Sequence, residues 1–165
     1  MPLTVEVTKR NKTRELLKPM LLTLQEQLGE RLVAIVLFGS RARNEAKVES
    51  DWDLLLIADD LPQKALDRHL FVKQLLPIQW RSVVSILAKT PDEFDAAVQA
   101  LYLDIAVDGM ILADTHNYVT KRLAFLKRQL AERGLYRVRE GSDMIWRWQE
   151  APQGNWSIEW EEAPA

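Results

Sequence analysis

Apolar residues along this chain fall into short unbroken runs and longer helical stripes. The clearest run covers residues 32–38, Leu-Val-Ala-Ile-Val-Leu-Phe. It is short for a helix and rich in β-branched residues, so it predicts a strand buried on both faces. Residues 54–58, Leu-Leu-Leu-Ile-Ala, predict a second strand. Residues 78–88 predict a third, with Val84, Ile86 and Ala88 on one face and Val83, Ser85 and Leu87 on the other. Met110 to Ala113 predicts a short fourth strand or an apolar extension after the Asp108-Gly109 turn. Between the runs the period lengthens. Leu16, Leu17, Met20, Leu21, Leu24 and Leu28 predict a helix over 8–29, with Pro19 expected to kink it or mark its start. A helix over 63–76 would turn Leu66, Leu70, Phe71 and Leu75 toward the sheet, and Thr90-Pro91-Asp92-Glu93 opens another, to residue 104. Val119, Leu123, Leu126 and Leu130 stripe a last helix over 116–133, capped by Asp114-Thr115 and ended by Gly134. Strands interleaved with helices define an α/β (α+β) chain.

The chemistry gathers where the first two runs meet. The first ends at Gly39-Ser40, a turn that glycine permits and that Ser40 can N-cap into a short helix from Arg41 to about Ala46. Backbone N–H groups at such a turn suit phosphate. The second run is preceded by Ser50-Asp51-Trp52-Asp53. Strand alternation puts the Asp51 and Asp53 carboxylates on one face and Trp52 on the other. Two such carboxylates form a hard-oxygen site suited to Mg²⁺ or Mn²⁺. Either feature alone is weak, since Gly-Ser can be only a turn and Ser-Asp only a capping pair. Together, about ten residues apart, they point to nucleoside triphosphate chemistry.

Phe38-Gly39-Ser40-Arg41-Ala42-Arg43 followed by Ser50-Asp51-Trp52-Asp53-Leu54 resembles the signature of the DNA polymerase β-like nucleotidyltransferases, above all their minimal prokaryotic members. The resemblance implies a nucleotidyltransferase fold: a mixed sheet of three to five strands with helices mainly on one face. It further implies transfer of a nucleoside monophosphate, AMP from ATP in the first instance, to a hydroxyl of a protein or small molecule. A toxin-like partner protein is one such acceptor, and an aminoglycoside another. Gly39, Ser40, Arg41, Arg43 and Ser50 would bind the nucleotide phosphates; Asp51 and Asp53 would be catalytic and hold Mg²⁺ or Mn²⁺. Active members of the family carry a third carboxylate on the neighbouring strand. Here that place falls on Ser82 or a near neighbour, and residues 78–90 contain no acid. Asp104, Asp108 or a partner chain's acid are the candidate substitutes. The gap keeps open an alternative, a nucleotide-binding or regulatory module of the same fold that has lost turnover.

Composition trims these readings without redirecting them. Among 165 residues, 47% are hydrophobic and 28% charged, and the formal net charge is −2, so no general basic field argues for nucleic acid. Cysteine is absent, which excludes disulfides and thiolate metal sites. No secretory signal or spanning segment is visible, and a cytoplasmic address is the expectation. Lys121, Arg122, Lys127, Arg128, Arg133, Arg137 and Arg139 form a basic surface, read either as a solvated face or as a platform for phosphates, RNA or an acidic partner. The chain is expected to divide into a nucleotidyltransferase domain with packing helices, 1–135, and a Trp-rich acidic extension, 136–165. Trp146, Trp148, Trp156 and Trp160 there are expected to fold back on the domain or to meet a second copy in a homodimer.

Overall fold

The structure is a computed structural model and describes residues 2–161. Its centre is a four-stranded sheet in the order β3-β2-β1-β4, built from β1 (Leu32–Phe38), β2 (Trp52–Ala58), β3 (Val84–Lys89) and β4 (Met110–Asp114). β1 runs antiparallel to both β2 and β4, while β2 and β3 are parallel, so the sheet is mixed. Because β1 and β2 are apolar at nearly every position, both of their faces need cover. Ile35, Leu37, Leu54 and Leu56 pack with Leu17, Met20 and Leu24 of α1 (Pro2–Leu28) and with Val72 and Leu75 of α3 (Ala65–Leu75). Ala34, Val36, Leu55 and Ile57 pack on the other side. There they meet Phe94 of α4 (Pro91–Asp95), Tyr102 and Ile105 of α5 (Ala100–Asp108), and the stripe Val119, Leu123, Leu126, Leu130 of α6 (Tyr118–Arg133). Helices therefore cover both faces rather than mainly one.

Several local expectations shift for identifiable reasons. α1 starts earlier and runs through Pro19, whose missing N–H it tolerates, and ends before Gly29, at φ +54°. α3 turns Val72 and Leu75 inward and leaves Leu66 and Leu70 exposed, because only its rim touches the sheet. β3 begins only at Val84, since a 3₁₀ turn, Ile78–Trp80, uses the chain after Pro77. The helix expected over 91–104 is two helices. Thr90 and Glu93 form a reciprocal capping box at the first, and the chain re-enters helix at Ala100. Asp114 caps α6 by accepting from the backbone N–H groups of Val119 and Thr120 at 2.9 Å each, and Gly134 ends it in the left-handed region.

β3 is an edge strand. The Trp52 N–H donates to the Val83 carbonyl, so Val83 and Ser85 turn their backbone toward β2 while Val84, Ile86 and Ala88 turn theirs outward. Two of those outward carbonyls are covered from α3: Lys73 Nζ donates to Val84 O at 2.6 Å and Arg68 Nη1 to Ala88 O at 3.4 Å.

The chain closes with a hairpin of β5 (Leu135–Glu140) and β6 (Asp143–Trp148), which makes the alternation of Trp146 and Trp148 a strand. Beyond it, Ile158 is buried and Trp160 packs on Phe94 and Phe125, its indole N–H donating to the Phe94 carbonyl. The tail thus folds back on the helical layer. Under it, Tyr102 is fully buried and its hydroxyl has no hydrogen-bond partner among the described residues. An unpaired buried hydroxyl is costly, so Tyr102→Phe is expected to stabilise the chain by about 1 kcal/mol, read as a raised midpoint in chemical denaturation.

Candidate active site at the start of the second strand

The site is assembled by one turn and one strand start. Gly39 takes φ +71° and opens the single helical turn α2 (Gly39–Ala42), with extended Phe38 at its N-cap position. Ser40 therefore lies inside the turn and is not its cap, and the helix stops at Ala42, short of the expected Ala46. Its half-buried hydroxyl has no partner among the described hydrogen bonds. Phe38 pairs with Asp53 across the sheet, which brings the Gly39 turn against the aspartate side chain. A Cβ added to Gly39 would stand 2.5 Å from Asp53 Oδ2. Glycine is thus required twice, for the backbone angle and for the approach.

Asp51 and Asp53 flank Trp52 at the entrance to β2. Asp51 is exposed and Asp53 half-buried, and no described hydrogen bond or ion pair reaches either carboxylate. Burial first, and then the like charge of Asp51, push the Asp53 pKa above the ordinary carboxylate value, against an opposing pull from Arg43. Two hard oxygen donors, close enough to repel and paired with no cation among the described residues, are a donor set that fits Mg²⁺ or Mn²⁺, ions that complete their shells with water and substrate phosphates. No group of three or more acids or histidines forms a metal site among the described residues. Asp53 stands opposite Ser85 in the β2–β3 register, so Ser85, not Ser82, occupies the neighbouring-strand place. Ser82 and Ser85 line a polar cleft of about 220 Å³ beside Asp51, together with His69 and Lys73.

The remaining candidates divide. Arg41 lies on the far side of β2: its guanidinium sits 4.5 Å from the Trp52 ring and donates to the Ser50 carbonyl at 2.7 Å and the Val48 carbonyl at 3.2 Å. It is committed to pinning the loop before β2 and is not placed with the carboxylates. Ser50 shares that duty, its Oγ accepting from the Lys47 N–H at 2.9 Å. Arg43 is on the carboxylate side, with Nε on Glu45 at 2.9 Å and Nη1 3.7 Å from Asp108. Asp104 and Asp108 do not supply a third acid; both are bound to Arg137 of β5. Of the seven residues of the basic surface, Arg122, Arg128, Arg137 and Arg139 meet acids. Arg122 makes a two-point pair with Asp95, Arg128 faces Glu132 and Glu161, and Arg139 meets Glu45. Glu45 is the residue that the sequence did not single out. Hydrogen bonds from Arg43 and then Arg139 hold its carboxyl below the usual range. No local motif marks it, because its second partner is distant in sequence.

Two outcomes are expected from this geometry. Gly39→Ala should cost about 1–2 kcal/mol from the left-handed backbone alone, and should also displace Asp53; a thermal melt and Mg²⁺ titration read both effects. For Asp53, the folded pKa is raised, so the folded chain holds the proton more tightly and stability falls as pH rises through that pKa. In chelator, Asp53→Asn should therefore melt higher than the parent at neutral pH. The gain should vanish as pH falls through the carboxylate range.

A sequence model of the family described as "Polymerase beta, Nucleotidyltransferase" matches residues 23–100, which contain Gly39, Ser40, Asp51, Asp53 and Ser85. A "Putative protein adenylyltransferase" of Methanocaldococcus jannaschii is 32% identical over 107 residues, 62% of this chain and 73% of that protein. Solved structures with a similar course include a toxin–antitoxin crystallised with AMP-PNP. It is 21% identical, with 70% of this chain and 90% of that chain covered and a TM-score of 0.48. A crystal structure described as that of "a putative nucleotidyltransferase" from Sulfolobus solfataricus gives 20%, 64%, 84% and 0.44 for the same measures. A chain of the complex between the tri-AMPylated Shewanella oneidensis HEPN toxin and its MNT antitoxin gives 20%, 78%, 92% and 0.42. With the family's model lying over its glycine turn and paired aspartates, and a relative matched over most of that relative's length, the chain belongs to the polymerase β nucleotidyltransferases.

Proposed function

We propose that this nucleotidyltransferase transfers AMP from ATP to a hydroxyl group of a protein, using a divalent cation held by Asp51 and Asp53. The observation that carries the reading is the pair of unpartnered carboxylates set against the Gly39 turn. The choice of AMP and of a protein acceptor is supported by the relative described as a protein adenylyltransferase; a small-molecule hydroxyl is the remaining acceptor class.

The roles follow from position. Gly39, lacking a side chain, keeps the space beside Asp53 open, and the backbone of Gly39 and Ser40 would face the β and γ phosphates. Arg43 would counter their charge from the carboxylate side. Mg²⁺ or Mn²⁺ bound at Asp51 and Asp53 would neutralise the triphosphate and polarise the α-phosphoryl group. The acceptor oxygen then forms a bond to the α-phosphorus as the bond to pyrophosphate breaks, and the hydroxyl proton leaves to solvent. A cytoplasmic address, where ATP is supplied, belongs to the same proposal; no described helix is long and apolar enough to cross a membrane. Ser85 beside Asp53 favours one second reading. A serine is no base near neutral pH, so the chain could bind nucleotide as a regulatory module without turnover.

The test is transfer of label from α-labelled ATP to protein, with pyrophosphate release followed in parallel, in Mg²⁺ and in the presence of extract proteins as acceptors. Asp51→Asn and Asp53→Asn are each expected to lower transfer by at least about a hundredfold, since even changes behind metal ligands cost ten to a hundred. Transfer that survives both substitutions would refute the metal assignment. ATP binding without release in any mixture would establish the second reading.

A further inference from the structure

The C-terminal hairpin reaches the site through a cluster of three arginines and three carboxylates. Arg43 contacts Glu45 Oε2 at 2.9 Å and stands 3.7 Å from Asp108 Oδ2. Each of those acids has a second arginine, and both come from β5. Arg137 Nη2 binds the same Asp108 Oδ2 at 2.5 Å while its Nη1 binds Asp104 at 2.9 Å, and Arg139 binds the other oxygen of Glu45. Residues two apart on a strand share a face, so β5 presents Arg137 and Arg139 together toward the two acids that flank Arg43.

The distances rank the partners. At 3.7 Å the Arg43–Asp108 contact is an ion pair but not a hydrogen bond, whereas Arg137 is hydrogen-bonded to the same oxygen. The Arg137 side chain is 6% exposed, so its guanidinium is fixed, while that of Arg43 is 25% exposed and faces the site. Without Arg137, the 16%-exposed Asp108 would keep Arg43 as its one remaining guanidinium. Leaving a carboxylate at that depth unpaired is costly, so the acid would draw Arg43 in.

We propose that Arg137 and Arg139 are positioning residues for the nucleotide: by taking up Asp108 and the second oxygen of Glu45, they leave the Nη groups of Arg43, which Glu45 holds at Nε, free to meet a triphosphate at Asp51 and Asp53. The inference rests on the reading that Arg43 serves the nucleotide. It makes the hairpin part of the nucleotide site although none of its residues touches the metal ligands. A hairpin that is only a prop would carry the same ion pairs, and the two roles separate on rescue.

The experiment is calorimetric titration of the full-length chain with ATP in Mg²⁺, alongside thermal melts. Arg137→Met and Arg43→Gln are each expected to weaken ATP binding roughly tenfold, the worth of one charge-assisted hydrogen bond. Adding Asp108→Asn to Arg137→Met removes the acid that captures Arg43 and should restore most of the affinity, even though it breaks another contact of the cluster. Arg139 is exposed, so Arg139→Gln should fold where Arg137→Met fails to, and Glu45→Gln should rescue it in the same way. Unchanged affinity in the β5 variants would overturn the proposal, as would a loss that neither second substitution restores. Unchanged affinity in Arg43→Gln would instead remove the reading on which it rests. A parent chain that does not bind ATP would remove the proposed function as well.

Discussion

Everything at this site depends on how closely the backbone of Gly39 approaches the carboxylate of Asp53. The sheet register fixes the two residues side by side, and a single missing Cβ lets them stay there. That contact ties the end of one strand to the start of the next. Across it the chain gathers two carboxylates that no ion pair reaches among the described residues, the opening turn of a helix and one arginine. The local electrostatics are unbalanced in a chain whose ion pairs elsewhere are closely matched. Arg68–Glu93, Arg122–Asp95 and Arg137–Asp108 are all close ion pairs, and Asp51 and Asp53 stand apart from them.

The sequence was informative where the constraint is local. Runs of apolar residues bounded by glycine or acids placed β1, β2 and β4 within a residue or two, because a strand buried on both faces has little freedom in composition. The pairing of a glycine turn with an alternating Asp-x-Asp was legible for the same reason: both parts are short-range. The double burial was itself visible in β1, yet its corollary, helices on both faces, follows only when the partner helices are seen to divide.

What stayed hidden depends on distant partners. The sequence leaves the place opposite Asp53 at Ser82 or a near neighbour, and the register gives it to Ser85, because the Ile78–Trp80 turn delays β3. Arg41 and Arg43 are indistinguishable by type and adjacent by motif. Their separation is decided by which face of β2 each reaches, Trp52 drawing one and Glu45 the other. Leu66 and Leu70 had the right spacing for a core stripe but lie on a helix that touches the sheet only at its rim. The arginines of β5 read in the sequence as either a solvated face or a platform. They are neutralised by acids that precede them by 29 to 94 residues, a separation at which composition carries no signal.

The covering of the β3 edge bears on how copies of this chain can meet. With a formal net charge of −2, repulsion between copies is weak, and colloidal protection from charge alone is slight. An open strand edge in such a chain would be a template for association. Lys73 and Arg68 occupy two of its three outward carbonyls, leaving Ile86 between them too short a stretch to seed a ladder. Protection of that edge is thereby vested in two side chains of one helix, and any change that loosens α3 from the sheet would uncover it.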